Sequence, residues 1–280
     1  MTIYRALLHR FELICDDRLV DHYLRLVLAP LREATPGQGQ VTRYELLRDD
    51  ASGRVTKLLA DGREVTEGRA GTGPVGRFLG HLDRAGAEET GIQLPVLHAA
   101  ACHRQGRTIV VPGAPNAGKS TLMAHLALRG WTYLSDELVG IVPGDPPTML
   151  AYPRAIVLDP GSWSLFAERT LEPPQTLSQQ LPPRRHLIPP ADALPPAAAS
   201  YPITDVVLYR WRSGGSASVD ELDAVDCLRA LLGSAFSLQR DPQRDLDLLA
   251  RVIDGAQCRR VSGGPAQEVE DLLLGAERVR

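Results

Sequence analysis

The residues Gly113-Ala114-Pro115-Asn116-Ala117-Gly118-Lys119-Ser120 form a Gly-x-x-x-x-Gly-Lys-Ser stretch followed by Thr121, the spacing at which a loop wraps phosphate groups. Backbone N–H groups of such a loop, and of the helix behind it, hold nucleotide phosphates. Lys119 reaches the β and γ oxygens as a point charge, and the Ser120 hydroxyl ligates Mg²⁺. The context agrees with this chemistry. Only Pro112 separates the loop from the apolar run 108–111, which reads as a strand, and Thr121-Leu122-Met123-Ala124-His125-Leu126-Ala127-Leu128 is built mostly from helix formers that stop at Gly130.

A phosphate loop alone does not choose between kinase, GTPase, transporter ATPase and switch, so the acids decide. Asp136 and Glu137 interrupt the strand-like run 131–141, one helix and one return strand after Lys119. In a doubly wound sheet that return brings a carboxylate back to the mouth of the loop. One acid can ligate Mg²⁺, with Asp136 the candidate, while the other accepts the proton of an attacking hydroxyl. Acids inside an apolar strand are costly unless a cation or hydrogen bonds compensate them. No Asn-Lys-x-Asp guanine motif follows the loop, which argues against a GTPase, and Val261-Ser262-Gly263-Gly264 reads as a turn rather than as a transporter signature.

These residues need a scaffold, and the length of 280 residues supplies one large domain or two smaller ones. Residues 1–90 read as a small α/β domain: an alternating stretch at 6–15, a helix at 19–28 that stops before Pro30, a hairpin from 41–47 and 55–59, and a helix beginning near 75. Residues 91–280 read as the nucleotide domain. Its strands at 99–102 and 108–111 join at Gln105-Gly106-Arg107, a further strand lies at 203–211, and helices are expected at 223–232, 244–253 and 268–279. Between them, at about 143–202, proline pairs such as Pro173-Pro174 and Pro189-Pro190 make extended loops the expectation. That run is either a linker or a substrate-covering lid, and Arg184-Arg185-His186 within it favours the lid.

Composition excludes some partners. A net charge of −3 with no long basic run argues against nucleic acid. The absence of a signal-peptide-like start or a long apolar segment leads to the expectation of a cytoplasmic protein with no membrane partner. The four cysteines, Cys15, Cys102, Cys227 and Cys258, stand far apart in the chain and read as reduced thiols rather than a zinc site or disulfide frame.

Leu97-His98-Ala99-Ala100-Ala101, the phosphate loop, residues 126–130 and Leu134-Ser135-Asp136-Glu137 together resemble the HPr kinase/phosphorylase superfamily, which is fold-related to ATP-dependent phosphoenolpyruvate carboxykinase. The likeness spans about residues 94–165 and is closest to the divergent HPr-kinase-related branch, which includes kinases of lasso peptide precursors. It implies an α/β fold with a P-loop core of that kind, a small N-terminal α/β domain and a helical C-terminal part. It also implies ATP and Mg²⁺ as cofactors and a peptide or small-molecule hydroxyl as acceptor. In the family a histidine precedes the loop lysine at the offset of His98 from Lys119, and a paired Asp-Asp stands where this chain has Asp136-Glu137. The catalytic set implied is therefore His98, Lys119, Asp136 and Glu137, with either acid as the base.

The glycine-rich metal and phosphorolysis segment of the bifunctional enzymes is replaced by Tyr152-Pro153-Arg154-Ala155-Ile156-Val157-Leu158, which implies loss of phosphorylase activity. Tyr-Pro-Arg followed by Gly161-Ser162-Trp163 looks like the related-kinase branch, where it borders the acceptor pocket. Arg154 is then a candidate phosphate contact or a surface arginine. Arg184 and Arg185 are candidates by position for the family's later-loop arginine. Family members form hexamers, so a homo-oligomer is open here. The rival readings are a small-molecule hydroxyl kinase and an ATP-binding regulatory protein without transfer.

Overall fold

The computed structural model describes residues 2–34, 37–67, 73–113, 115–178, 183–196, 199–236 and 241–275. The chain divides into two compact units: Met1–Thr90 with Pro153–Ile188, and Gly91–Tyr152 with Pro189–Arg280. The sequence reading placed 91–280 in one domain; here the chain goes back to the first unit at Pro153.

In the first unit, β1 (Ile3–Ala6) and β2 (His9–Cys15) form an antiparallel hairpin. The stretch that reads as continuous from 6 to 15 is broken at Leu7, whose φ of 57° supplies the left-handed corner of a two-residue turn. Helix α1 (Arg18–Val27) starts at Asp17, whose carboxylate accepts from the Leu19 and Val20 N–H groups. It buries Val20, Tyr23, Leu24 and Val27, the spacing of one helical face. Strands β3 (Thr42–Arg48), β4 (Val55–Ala60) and β5 (Arg63–Glu64) complete a sheet of order β1-β2-β3-β4-β5. Helix α2 (Pro74–Gly91) sets Phe78 edge-on to Phe11 and Tyr44, with ring centroids 6.2 and 5.2 Å away.

The second unit begins with β6 (Val96–Arg104) and β7 (Arg107–Pro112), a hairpin turned by Gln105 and Gly106, both at positive φ. After the phosphate-loop segment come α3 (Lys119–Leu128), β8 (Thr132–Ser135), β9 (Leu138–Val142) and β10 (Thr148–Leu150). Both β8 and β9 pair with β6, β8 along Ala101–His103 and β9 along Val96–His98.

Back in the first unit, β11 (Ile156–Leu158), β12 (Thr170–Leu171), the short α4 (Gln175–Ser178) and β13 (Arg185–Leu187) follow, the strands forming a sheet of order β11-β13-β12. The proline-rich run is thus not simply extended loop. Its prolines punctuate short strands, and it is shared between the two units at Ile188.

The second unit then adds β14 (Tyr201–Pro202), β15 (Asp205–Arg210), β16 (Ser218–Glu221), α5 (Ala224–Gly233), α6 (Pro242–Gly255), β17 (Gln257–Ser262) and α7 (Ala266–Leu273). Its mixed sheet has the order β14-β10-β9-β6-β7-β15-β17-β16, with β8 also on β6, and β7, β15 and β17 run parallel. Ala99, Ala101, Val110 and Val206 pack on one face with Leu231, Leu248 and Val252 of α5 and α6. Helix α3 packs on β6 and β8. The unit is mixed α/β, and β7 is buried along nearly its whole length, as a strand covered on both faces must be. Residues 276–279 of the expected last helix lie outside the described residues.

Two buried carboxylates fasten this unit away from the loop. Asp205, at the start of β15, accepts from Arg107 at 2.5 Å and Arg259 at 2.6 Å. Glu270 of α7 accepts from Trp131 Nε1 at 3.0 Å, Arg104 at 3.0 Å and Arg129 at 2.8 Å.

Candidate functional site

The strand–loop–helix order expected for a phosphate cradle is present in β7, residues 113–118 and α3. Ala114 lies outside the described residues. The loop backbone uses left-handed corners at Asn116 (φ 67°) and Gly118 (φ 91°). Gly118 occupies the cap position of α3, and among the described residues no side-chain hydrogen bond caps that helix. The first amide groups of a helix have no intrahelical acceptor, so an uncapped start presents donors and the positive end of the dipole. Ser120 and Thr121 lie in this first turn, while Pro115 and Asn116 are exposed and Ala117 accepts from the Trp211 N–H at 3.1 Å.

Lys119 is buried to 6 % exposure, and its Nζ donates to the Gly113 carbonyl at 2.6 Å, bridging the two ends of the loop. Burial pushes its pKa below that of a free lysine. The negative charges of Glu137 and then Asp136 act against that shift, which places both acids within electrostatic reach of the ammonium.

Strand register explains how the acids come there. Ala99 of β6 pairs with Pro112 at the end of β7 on one side, and on the other donates its N–H to the Glu137 carbonyl at 3.2 Å. Asp136 and Glu137 form the break between β8 and β9, and the register along β6 is the same on its two sides, Ala101 pairing with Ser135 and His98 with Leu138; the register shift falls earlier, between Tyr133 and Ser135. The interruption read in the sequence is therefore a short gap in pairing level with the start of the loop, which follows a bulge at Leu134, a common device for aiming side chains. Ser135 Oγ stabilises it by donating to the Leu138 carbonyl and accepting from the Glu137 and Leu138 N–H groups.

Asp136 is 2 % exposed and its Oδ1 accepts from the Tyr133 hydroxyl at 2.8 Å. Glu137 is partly exposed, with Oε1 3.7 Å from His98 Nδ1. His98 also donates its backbone N–H to the Ser234 carbonyl, and its ring meets Phe236 edge-on at 6.1 Å. His98, Lys119, Asp136 and Glu137 thus belong to one unit and one corner of its sheet.

The three candidate substrate arginines lie in the first unit. Arg154 is 7 % exposed, and its guanidinium donates to both carboxylate oxygens of Asp83 at 2.8 and 2.9 Å. Arg184 pairs with Asp159 at 3.3 Å. Arg185 pairs with Glu172 and lies 4.5 Å above the Trp163 ring. Each has a partner within that unit.

Sequence reasoning passed over Tyr133, Tyr209 and Trp211. Tyr133 carried the signal of an aromatic hydroxyl close before the acid pair, and the Tyr209-x-Trp211 alternation puts both side chains on one side of the chain at the end of β15. It read Cys227 and Cys258 as thiols standing far apart in the chain; they are free thiols whose sulfurs lie 2.8 Å from each other.

Among the described residues no group of three or more His, Cys, Asp or Glu side chains is placed to hold a metal ion. A site for Mg²⁺ at a phosphate loop needs none, because that ion takes one or two hard protein oxygens and completes its shell with phosphate and water. The Ser120 hydroxyl and the Asp136 carboxylate have that donor chemistry. No protein-family model matches the chain, and no curated protein matches it. No helix among the described residues is long and apolar enough to cross a membrane.

Proposed function

We propose that this protein is an ATP- and Mg²⁺-dependent kinase that moves the γ-phosphate to a hydroxyl, with Ser or Thr of a peptide or small protein as the favoured acceptor and a small-molecule alcohol as the near alternative. The observation that carries this reading is the buried Lys119 at the head of α3 with Glu137 and Asp136 acting on its charge. It pairs a phosphate-holding cation with two carboxylates, the minimum that phosphoryl transfer requires beyond positioning. The reading adopts a core of the HPr kinase/phosphoenolpyruvate carboxykinase kind. It places the enzyme in the cytoplasm, with no nucleic-acid or membrane partner.

The geometry supports the following roles. Backbone N–H groups of residues 116–121 hold the phosphate chain, and Lys119 exchanges its bond to the Gly113 carbonyl for the β and γ oxygens. Ser120 and Asp136 would hold Mg²⁺, which would supply charge neutralisation for the transferring group. Tyr133 keeps the Asp136 carboxylate in place. Glu137, the more exposed acid, accepts the proton of the attacking hydroxyl, and His98 beside it orients that carboxylate.

The test is transfer from γ-labelled ATP with Mg²⁺ to a pool of Ser/Thr peptides and small alcohols, with Lys119→Ala as control. Label on an acceptor with the wild type alone supports the kinase. ATP binding with no label on any acceptor moves the reading to an ATP-binding regulatory protein.

A further inference from the structure

The phosphate loop has two flanks. On the β6 side stand the acids and His98. On the β15 side stands Trp211, just past the end of a strand that runs parallel to β7. Among the described residues the exposed large apolar side chains include two aromatics, Trp211 and Phe236, and Phe236 lies against His98 on the acid flank. Trp211 is 56 % exposed, yet it is firmly positioned. Its backbone N–H donates to the Ala117 carbonyl at 3.1 Å, and a Cβ added to Gly118 would meet the Trp211 Cβ at 2.9 Å and its Cγ at 3.7 Å. The ring of Tyr209, on the same face, comes within 3.2 Å of the same point, so the last glycine of the loop is seated on this aromatic pair.

We propose that the Trp211 indole is the stacking platform for the nucleobase of the bound nucleotide. This rests on the reading of residues 113–121 as a phosphate cradle. A triphosphate whose γ end faces the acids on one flank directs its nucleoside end to the other, beyond the carboxyl ends of the parallel strands β7 and β15, the end at which open α/β sheets bind ligands. An exposed indole fixed by backbone and packing loses little freedom on stacking. Stacking accepts any base with a flat π face and favours the larger purines. Trp211 thereby supplies affinity for the base, and the amides and Lys119 supply affinity for the phosphates.

Calorimetric titration of wild type, Trp211→Ala and Trp211→Phe with ATP and with inorganic tripolyphosphate separates the two contributions. The expected result is about ten-fold weaker ATP binding for Trp211→Ala, the equivalent of about 1.4 kcal/mol. Tripolyphosphate binding stays unchanged and Trp211→Phe recovers most of the loss. Unchanged ATP binding by Trp211→Ala overturns the platform, as does an equal loss for ATP and tripolyphosphate, which would mean that Trp211 only shapes the loop. Failure of the wild type to bind either probe overturns the phosphate cradle itself, and this proposal with it.

Discussion

Lys119 Nζ donates to the Gly113 carbonyl at 2.6 Å, so the residue that begins α3 also closes the loop that precedes it. Its charge is buried and its pKa is pulled below the 10.5 of a free lysine. The protonated fraction therefore declines at lower pH than for an exposed lysine, and ATP affinity should fall as pH rises through that lowered value, below 10.5. Lys119→Ala should abolish ATP binding and keep the far-ultraviolet circular dichroism of the wild type. Calorimetry across pH checks both; an affinity flat to pH 10.5 contradicts the first.

Gly118→Ala should impair the loop through two effects at once. The residue sits at φ 91°, and its new Cβ would press on Trp211 and Tyr209. The backbone term alone costs about 1–2 kcal/mol. Combining it with Trp211→Ala removes neither the closest clash, which is with the Trp211 Cβ that alanine retains, nor the backbone strain, so the double variant should recover little of the thermal stability lost.

His186 gives an acid sensitivity to the first unit. Burial, aided by Arg154 and Arg184, pulls its pKa from 6.5 down to about 3, and its Nδ1 lies 2.6 Å from the Tyr23 hydroxyl. Between those values the unfolded chain binds the proton that the folded chain refuses. Stability is therefore intact above pH 6.5 and lost as pH falls towards 3, at up to about 1.4 kcal/mol per unit. The double variant His186→Leu/Tyr23→Phe should show a shallower fall in melting temperature over this range, and an unchanged slope would contradict the assignment.

Glu270 is the joint between α7 and the return from α3 to β8. Glu270→Ala leaves the buried Trp131 N–H and two guanidinium groups without their shared acceptor, at a cost of roughly 3 kcal/mol. Glu270→Gln retains an acceptor oxygen and should lose less in urea unfolding.

Much of the site was legible because the phosphate loop is local: sequence spacing alone sets strand, turn and helix around Lys119. The hairpins β3–β4 and β6–β7 were legible from alternation and turn residues. What stayed hidden depends on pairing between distant residues. Strand β17 carries Cys258, Arg259 and Arg260 and does not read as a buried strand, because the burial of Arg259 is compensated by Asp205, far off in the chain, and by the Leu272 carbonyl. The break at Asp136 and Glu137 was visible as an interruption, but its position beside the loop comes from register on both edges of β6. The contact of Cys227 with Cys258 depends on α5 packing near β17, which no spacing in the chain signals.

The central claim is that Lys119, Asp136 and Glu137 move a phosphoryl group. Intact-mass spectrometry tests it most directly, with Ser/Thr peptides and small alcohols offered to wild type and Glu137→Gln in the presence of ATP and Mg²⁺. The account predicts the mass of one phosphate added to an acceptor by the wild type and lost with Glu137→Gln, while the variant still binds ATP. Transfer that survives in Glu137→Gln, or no transfer by a wild type that binds ATP, would contradict it.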